Sequence, residues 1–216
     1  MNKTSIFIII ISIIVIFSCA FFKTVREGLT NNDTIVLIGD SILNNAAYVP
    51  PNQSVVHLLK EKTPRVYSFA KEGATIQDCY NQLDQVPIDV NNSKTYVFIS
   101  VGGNNILNSQ GQMDSAAIKK LFVSYMDFVN ALRAKLSSVN INIFNLYMPT
   151  DPRFQSYKPS IDEWNKLIQE NSFKVGAMYN VMDIASLLTS PDDFVYNIEP
   201  STVASEKIAN MIYLTQ

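Results

Sequence analysis

Three short stretches carry residue types that could do chemistry together. Gly39-Asp40-Ser41-Ile42 follows the apolar run Thr34–Gly39. A serine on a sharp turn between a strand and a helix exposes its hydroxyl near the positive end of that helix, which suits a nucleophile. The same residues are also ordinary turn and N-cap formers, so the tetrapeptide alone decides nothing. Glu72-Gly73-Ala74-Thr75 comes after a second apolar run, Arg65–Ala70. Its glycine lets a backbone N–H approach a substrate oxygen closely, or simply turns the chain. Gly102-Gly103-Asn104-Asn105 closes a third run, Thr95–Val101, and offers an amide donor where negative charge develops on a carbonyl oxygen. The alternative is a plain Gly-rich turn; no Walker lysine follows to suggest phosphate binding.

Histidine, the usual base in such chemistry, occurs once, at His57. It lies among Val55, Val56, Leu58 and Leu59 in a helical pattern, and its simplest role is a helix residue at the edge of the core or in water. Any mechanism needing an imidazole must use His57 or do without.

The elements that would hold these loops are legible from hydrophobic periodicity. Short apolar runs bounded by turn residues read as buried strands at Thr34–Gly39, Arg65–Ala70, Thr95–Val101 and Ile141–Tyr147, with a fifth opening Val181–Leu188. Helical patterns separate them: Gln53–Lys62, Thr75–Asp84, the long amphipathic Asp114–Ser137, Ser160–Met178 with the single tryptophan Trp164, and Thr202–Leu214. Strands alternating with helices imply parallel crossovers and a sheet covered on both faces. Ligands in such folds sit beyond the carboxyl ends of the strands, where all three stretches fall.

Composition narrows the functional classes. Seventeen basic against nineteen acidic residues give a net charge of −2, which argues against a basic nucleic-acid footprint. Cys19 and Cys79 are too few for a disulfide framework or a four-ligand zinc site, and no cofactor motif is present. The most concentrated part of the 47% hydrophobic content is residues 6–22, IFIIIISIIVIFSCAFF, where only Ser12 and Ser18 are polar. As a helix this stretch spans roughly 25 Å, close to a hydrocarbon core of about 30 Å. Residues 1–23 are therefore expected to be a single-pass N-terminal anchor, with a cleaved signal peptide or a lipoprotein signal ending at Cys19 as alternatives. Residues 24–33 are expected to be a linker and 34–216 one domain.

In order and strand context the three stretches resemble the SGNH/GDSL hydrolase family. IVLIGDSIL is similar to that family's first block, AKEGATIQD to its second and FISVGGNNIL to its third; IDEWNKLIQE and YNVMDIASLL resemble its late helix and strand. The resemblance implies a three-layer α/β/α sandwich with a parallel five-stranded sheet, a flavodoxin-like fold. It also implies Ser41 as nucleophile, with the backbone N–H of Ser41, that of Gly73 and the side-chain amide of Asn104 as oxyanion hole. The family's Gly-x-Asn-Asp reads Gly102-Gly103-Asn104-Asn105 here, so Asn105 replaces its aspartate.

The last block departs from the pattern. The family's Asp-x-x-His is matched by Asp193-Phe194-Val195-Tyr196, which puts Tyr196 in the histidine position; a register based on the following Pro-Ser puts Glu199 there and Tyr196 in the aspartate position. The first of these is favoured, and neither supplies an imidazole. A glutamate raised by burial to about 6–7 could act as the base, whereas a tyrosine near 10 is a poor one. The sequence thus implies an ester hydrolase acting on small-molecule, lipid or glycan esters, or a membrane-tethered binder that has lost its base. An unrelated nucleotide-binding α/β domain is the remaining reading, and neither GxGxxG nor a Walker motif supports it.

Overall fold

The computed structural model describes residues 28–111, 113–172 and 179–215. The apolar segment 6–22 and Cys19 lie outside the described residues, as does 173–178, the expected end of the tryptophan-bearing helix. Among the described residues no helix is long and apolar enough to cross a membrane. Of the stretch expected as a linker, residues 28–33 are described: Leu29 and Asp33 are buried, Thr30, Asn31 and Asn32 are exposed, and the Leu29 N–H donates to the Tyr213 carbonyl at 2.7 Å.

The domain alternates strand and helix. Its elements are β1 (Thr34–Gly39), α1 (Val55–Lys62), β2 (Val66–Ser68), α2 (Ile76–Gln85), β3 (Thr95–Ser100), α3 (Gly103–Asn108), α4 (Ser115–Lys135), β4 (Asn140–Phe144), α5 (Lys158–Ser172), β5 (Asn180–Met182), α6 (Ile184–Leu187), β6 (Phe194–Val195), β7 (Glu199–Pro200) and α7 (Thr202–Tyr213). Strands β1 to β5 form one parallel sheet in the order β2-β1-β3-β4-β5, and β6 pairs with β7 in a separate antiparallel hairpin. The result is the expected three-layer α/β/α sandwich.

Alternation along the strands builds the two cores. Val36 and Ile38 of β1 point into one layer with Val97, Ile99, Ile141 and Ile143, against α2, α4 and α5. Ile35 and Leu37 point the other way with Phe98 and Phe144, against α1 and α7. With both faces covered, the central strands lose the polar alternation of a half-exposed sheet and read as continuous apolar runs.

The sheet ends where the chemistry-bearing loops begin. Gly39 and Ser100 are paired at the carboxyl ends of β1 and β3, the two strands between which the strand order reverses. Chains diverge there and leave a crevice. Gly39 lies at φ +139°, and a Cβ on it would stand 1.9 Å from the Ser100 carbonyl oxygen. Its N–H donates to Gln82 Oε1 at 2.7 Å and its carbonyl accepts from Gln82 Nε2 at 2.9 Å, so a buried amide on α2 holds both backbone groups. Gly39→Ala should destabilise the domain by about 3 kcal/mol or more, since overpacking and left-handed strain add. Urea denaturation of the variant beside the parent measures this.

Candidate active site

The turn bearing Ser41 is held from below. Asp40 N–H donates to the Ser100 carbonyl at 3.0 Å; the Asp40 carboxylate accepts from Ser100 Oγ at 3.0 Å and from Ile42 N–H at 3.2 Å. No helix follows directly, contrary to the strand-to-helix turn expected from the sequence. Turns at 41–43 and 46–48 precede α1, which starts only at Val55 behind its Ser54 cap. Pro50 and Pro51 in this loop have no N–H to give to a helix, and Asn45 organises it instead. Its buried amide donates to the Pro200 carbonyl and Ser205 Oγ and accepts from Val55 N–H. Ser41 is therefore set by backbone turns rather than by a helix end, and it is only 8% exposed.

The second and third loops are stitched to each other. Gly73 turns at φ +70° with open space around it. Asn104 Nδ2 donates to the Ala74 carbonyl at 3.0 Å, while Asn105 Oδ1 accepts from Ile76 N–H at 3.1 Å at the start of α2. An amide nitrogen carries two hydrogens; with one fixed on Ala74, the orientation of the other is set. The role of Asn105 needs only an acceptor oxygen, which an amide supplies as well as a carboxylate does. Gly102 sits at φ +110° over the buried Trp164, whose ring would meet a Cβ there at 2.5 Å. Neither Ser41 N–H nor Gly73 N–H donates to any protein acceptor among the described residues.

The last block is a tight hairpin. Tyr196 (φ 49°) and Asn197 (φ 74°) occupy its two central positions, and Ile198 N–H returns to the Val195 carbonyl at 3.2 Å. Two positive φ values in a two-residue loop are the signature of a type I′ turn, whose twist suits a hairpin. This turn throws Tyr196 outward, to 72% exposure, and carries Ile198 and Glu199 inward. Tyr147 secures the return strand by donating its hydroxyl to the Ile198 carbonyl at 2.6 Å. Asp193 is fully buried and spoken for: it accepts from Thr189 N–H, Ser190 N–H and Lys207 Nζ, the last at 2.7 Å.

Ser41, Asn104 and Glu199 consequently line one cleft. Its remaining walls are apolar, among them Ile42, Ile106, Leu107, Leu146, Phe154, Tyr157 and Ile161. The Ser41 hydroxyl faces the Glu199 carboxylate loosely, and this approach favours the ionised acid. Burial works more strongly the other way, and with the charge of Glu72 it holds Glu199 above the ordinary carboxylate range. Asp193 and Tyr196 are not brought to Ser41. His57 turns to Glu61 on its own helix at 3.4 Å.

Sequence reasoning passed over Tyr48 and Tyr147, and treated Asp40 and Glu72 only as turn residues. Asp40 is the more instructive. Full burial pushes its carboxyl up to about 7, against hydrogen bonds from Ile42 and Ser100 that pull it down, with Glu199 adding to the rise. The only sequence signal was its position, directly after a strand buried at every residue.

Comparisons with known proteins give the family and the fold. A family model described as GDSL-like lipase/acylhydrolase matches residues 35–209. The chain belongs to the GDSL-like lipase/acylhydrolase family. Solved structures with a similar fold include a lipolytic protein of the G-D-S-L family from Veillonella parvula (16% identity, TM-score 0.63, covering 82% of this chain and 94% of that one). A lipase from a goat rumen metagenome is similar at 16% identity and TM-score 0.66, covering 84% and 96%. A phospholipase A1 from Streptomyces albidoflavus is similar at 15% identity and TM-score 0.58, covering 84% and 98%. No curated protein matches the sequence. At such identities the solved structures speak for the fold alone, whereas the family model places this chain among the GDSL-like hydrolases.

The raised Asp40 carboxyl of this GDSL-like chain has a measurable consequence. Between 3.8, its ordinary value, and about 7 the folded protein keeps a proton that the unfolded chain has released. Stability must therefore fall as pH rises through that window. Asp40→Asn keeps the acceptor oxygen, so it should flatten the slope between pH 4 and 7 and leave the variant more stable than the parent at pH 8. Thermal unfolding across pH reads both, with Glu199 contributing the residual slope.

Proposed function

We propose that the protein hydrolyses carboxylic esters with Ser41 as nucleophile and Glu199 as general base. The observation that carries this reading is the half-buried Glu199 carboxylate facing the Ser41 hydroxyl inside an apolar cleft. In the first step Ser41 Oγ attacks the ester carbonyl carbon and passes its proton to Glu199. The oxyanion so formed takes hydrogen bonds from Ser41 N–H, Gly73 N–H and the second hydrogen of Asn104 Nδ2. Collapse expels the alcohol, which recovers the proton from Glu199, and leaves an acyl-serine. Water then attacks this ester with Glu199 again taking the proton, and the carboxylic acid leaves Ser41 restored.

Glutamate replaces histidine here at a cost in basicity, since the two titrate near 4.3 and 6.5 when free. Burial beside Glu72 works to recover part of that difference. An apolar wall beside the serine supports an acyl chain more than a bare acetyl group. The absence of any imidazole near Ser41 favours a second reading, a binder that keeps the cleft and turns nothing over. The anchor belongs to the proposal as well: residues 6–22 would hold the domain at a membrane, and deletion of 1–27 should release it into the soluble fraction on cell fractionation.

A fluorophosphonate probe should label the parent protein and not Ser41→Ala; no labelling of either would favour the binder. With short p-nitrophenyl esters, Glu199→Gln should lower kcat/KM by roughly 10²–10⁴-fold. Glu199 acts as base only when ionised, so activity must fall with decreasing pH, through a limb lying above the 4.5 of an ordinary glutamate. A variant that keeps its rate without Glu199 would remove the carboxylate from the mechanism while leaving Ser41 in it.

A further inference from the structure

Ser41 and Glu199 lie beyond the carboxyl ends of the strands, whereas the chain enters the domain at their amino ends. Gly28 packs against the Tyr213 ring, where a Cβ would stand 2.5 Å from Tyr213 Cε1. Leu29 is buried and bonded to the Tyr213 carbonyl, and Asp33 accepts from Thr30 N–H and Thr30 Oγ1, both at 2.7 Å. β1 starts at the next residue: Thr34 N–H donates to the Lys94 carbonyl at 2.9 Å and Ile35 N–H to the Arg65 carbonyl at 2.8 Å. The entry is thus fixed to the core. The six residues of β1 separate it from Asp40 and Ser41, roughly 20 Å at about 3.3 Å per residue.

The surface around the entry has its own chemistry. Lys62 Nζ stands 5.3 Å from the centroid of the Tyr213 ring, and Leu214 is 45% exposed. Arg65 and Lys94 are exposed and form no ion pair among the described residues. Of the nearby acids, Asp33 is buried and Glu61 pairs with His57. Asp84 and Asp89 adjoin Leu83 and Val90, which pack into the other layer of the sandwich. Basic side chains beside a tyrosine and an exposed leucine suit the boundary between water and an anionic bilayer. The opposite end of the sheet carries the carboxylates of Asp40, Glu72 and Glu199 instead.

We propose that the strand amino ends, with Lys62, Arg65, Lys94, Tyr213 and Leu214, rest on the anchoring bilayer, that the cleft opens away from it, and that the substrate is a water-borne acyl ester rather than a lipid of that bilayer. This rests on the ester-hydrolase reading and on residues 6–22 as the anchor. Only Lys23–Glu27 lie between that segment and Gly28. Fully extended, they and their flanking bonds reach roughly 20 Å. Turning the cleft to the bilayer would lift the entry by the length of β1, about the same distance, and further by the depth of the Ser41 loop and the cleft rim. The tether is too short for that.

The test reconstitutes the full chain in vesicles containing phosphatidylglycerol, diluted so that vesicles do not meet. One substrate is dissolved 4-methylumbelliferyl butyrate; the other is the same butyryl coumarin ester attached to a lipid headgroup of the same vesicles. The reference is a variant with about thirty Gly-Ser residues inserted between Glu27 and Gly28, a linker of roughly 30 Å root-mean-square length. Parent and variant should cleave the dissolved ester equally, and the parent should cleave the headgroup ester at least about tenfold more slowly, since a tether that cannot span the sites gives almost no effective concentration. Equal rates on the headgroup ester would overturn the proposal. A second readout needs no turnover. A water-soluble maleimide dye is placed at Lys94→Cys or at Tyr196→Cys on a Cys19→Ser background; Cys79 is buried, and both labelled positions are exposed. Nitroxide-labelled headgroups should quench the dye at 94 and leave the one at 196 unchanged, and equal or reversed quenching would overturn the orientation. Quenching confined to 94 with no ester cleaved keeps the orientation and removes the hydrolase. Cleavage of the dissolved ester by a chain that does not stay on the vesicles does the reverse.

Discussion

The site depends on one close approach: β1 and β3 run side by side to their ends with no side chain between Gly39 and the Ser100 carbonyl. Only because the strands stay in contact to the last residue can Asp40 reach Ser100 with both backbone and side chain. Only because Gln82 satisfies Gly39 on both sides can the chain turn there inside the core without leaving backbone groups unpaired. From that junction the Ser41 loop and the Asn104 loop leave in different directions, and the cleft is the space between them. The buried acid Asp40 is the cost of this arrangement, since it occupies a place where an ionised carboxylate is poorly solvated.

A second constraint lies across the cleft. The hairpin that carries Glu199 has few residues of its own, and its position comes from what grips it. Tyr147 holds the Ile198 carbonyl and packs on Phe194 with ring centroids 5.1 Å apart. Asn45 holds the Pro200 carbonyl, and Lys207 reaches Asp193 from α7. The hairpin and the Ser41 loop thus share an anchor in Asn45, which ties the two sides of the cleft to one buried amide.

Much of the scaffold was readable in advance because its signals are local. Central strands buried on both faces leave continuous apolar runs, and the strand ends at Gly39 and Ser100 fell within a residue of where TIVLIG and TYVFISV placed them. The edge strand β2 was read too long because burial rather than pairing limits such runs; its three residues are largely exposed. The late block was harder. Spacing favoured Tyr196 for the histidine position, but a type I′ turn reverses which residues face inward, and Tyr-Asn lacks the glycine that usually announces one. Tyr48 was invisible for another reason: its neighbours Glu72 and Tyr196 come from distant parts of the chain, and nothing in the local sequence around it brings them together.

The grip on Asp193 leads further. Its carboxylate and carbonyl, satisfied by Lys207, by two backbone amides and by Ser201 N–H, fix the hairpin from outside the cleft. Among the described residues the side chain of Glu199 meets only the Ser41 hydroxyl across the cleft, while the bonds that grip the hairpin run through Asp193, Ile198, Pro200 and Ser201. That position behaves as an interchangeable fitting in a rigid mount, so side chains of different kinds can be exchanged there while the mount stays the same. A substitution at residue 199 can therefore change the polarity of the cleft beside Ser41 while the fold that carries it stays as it is.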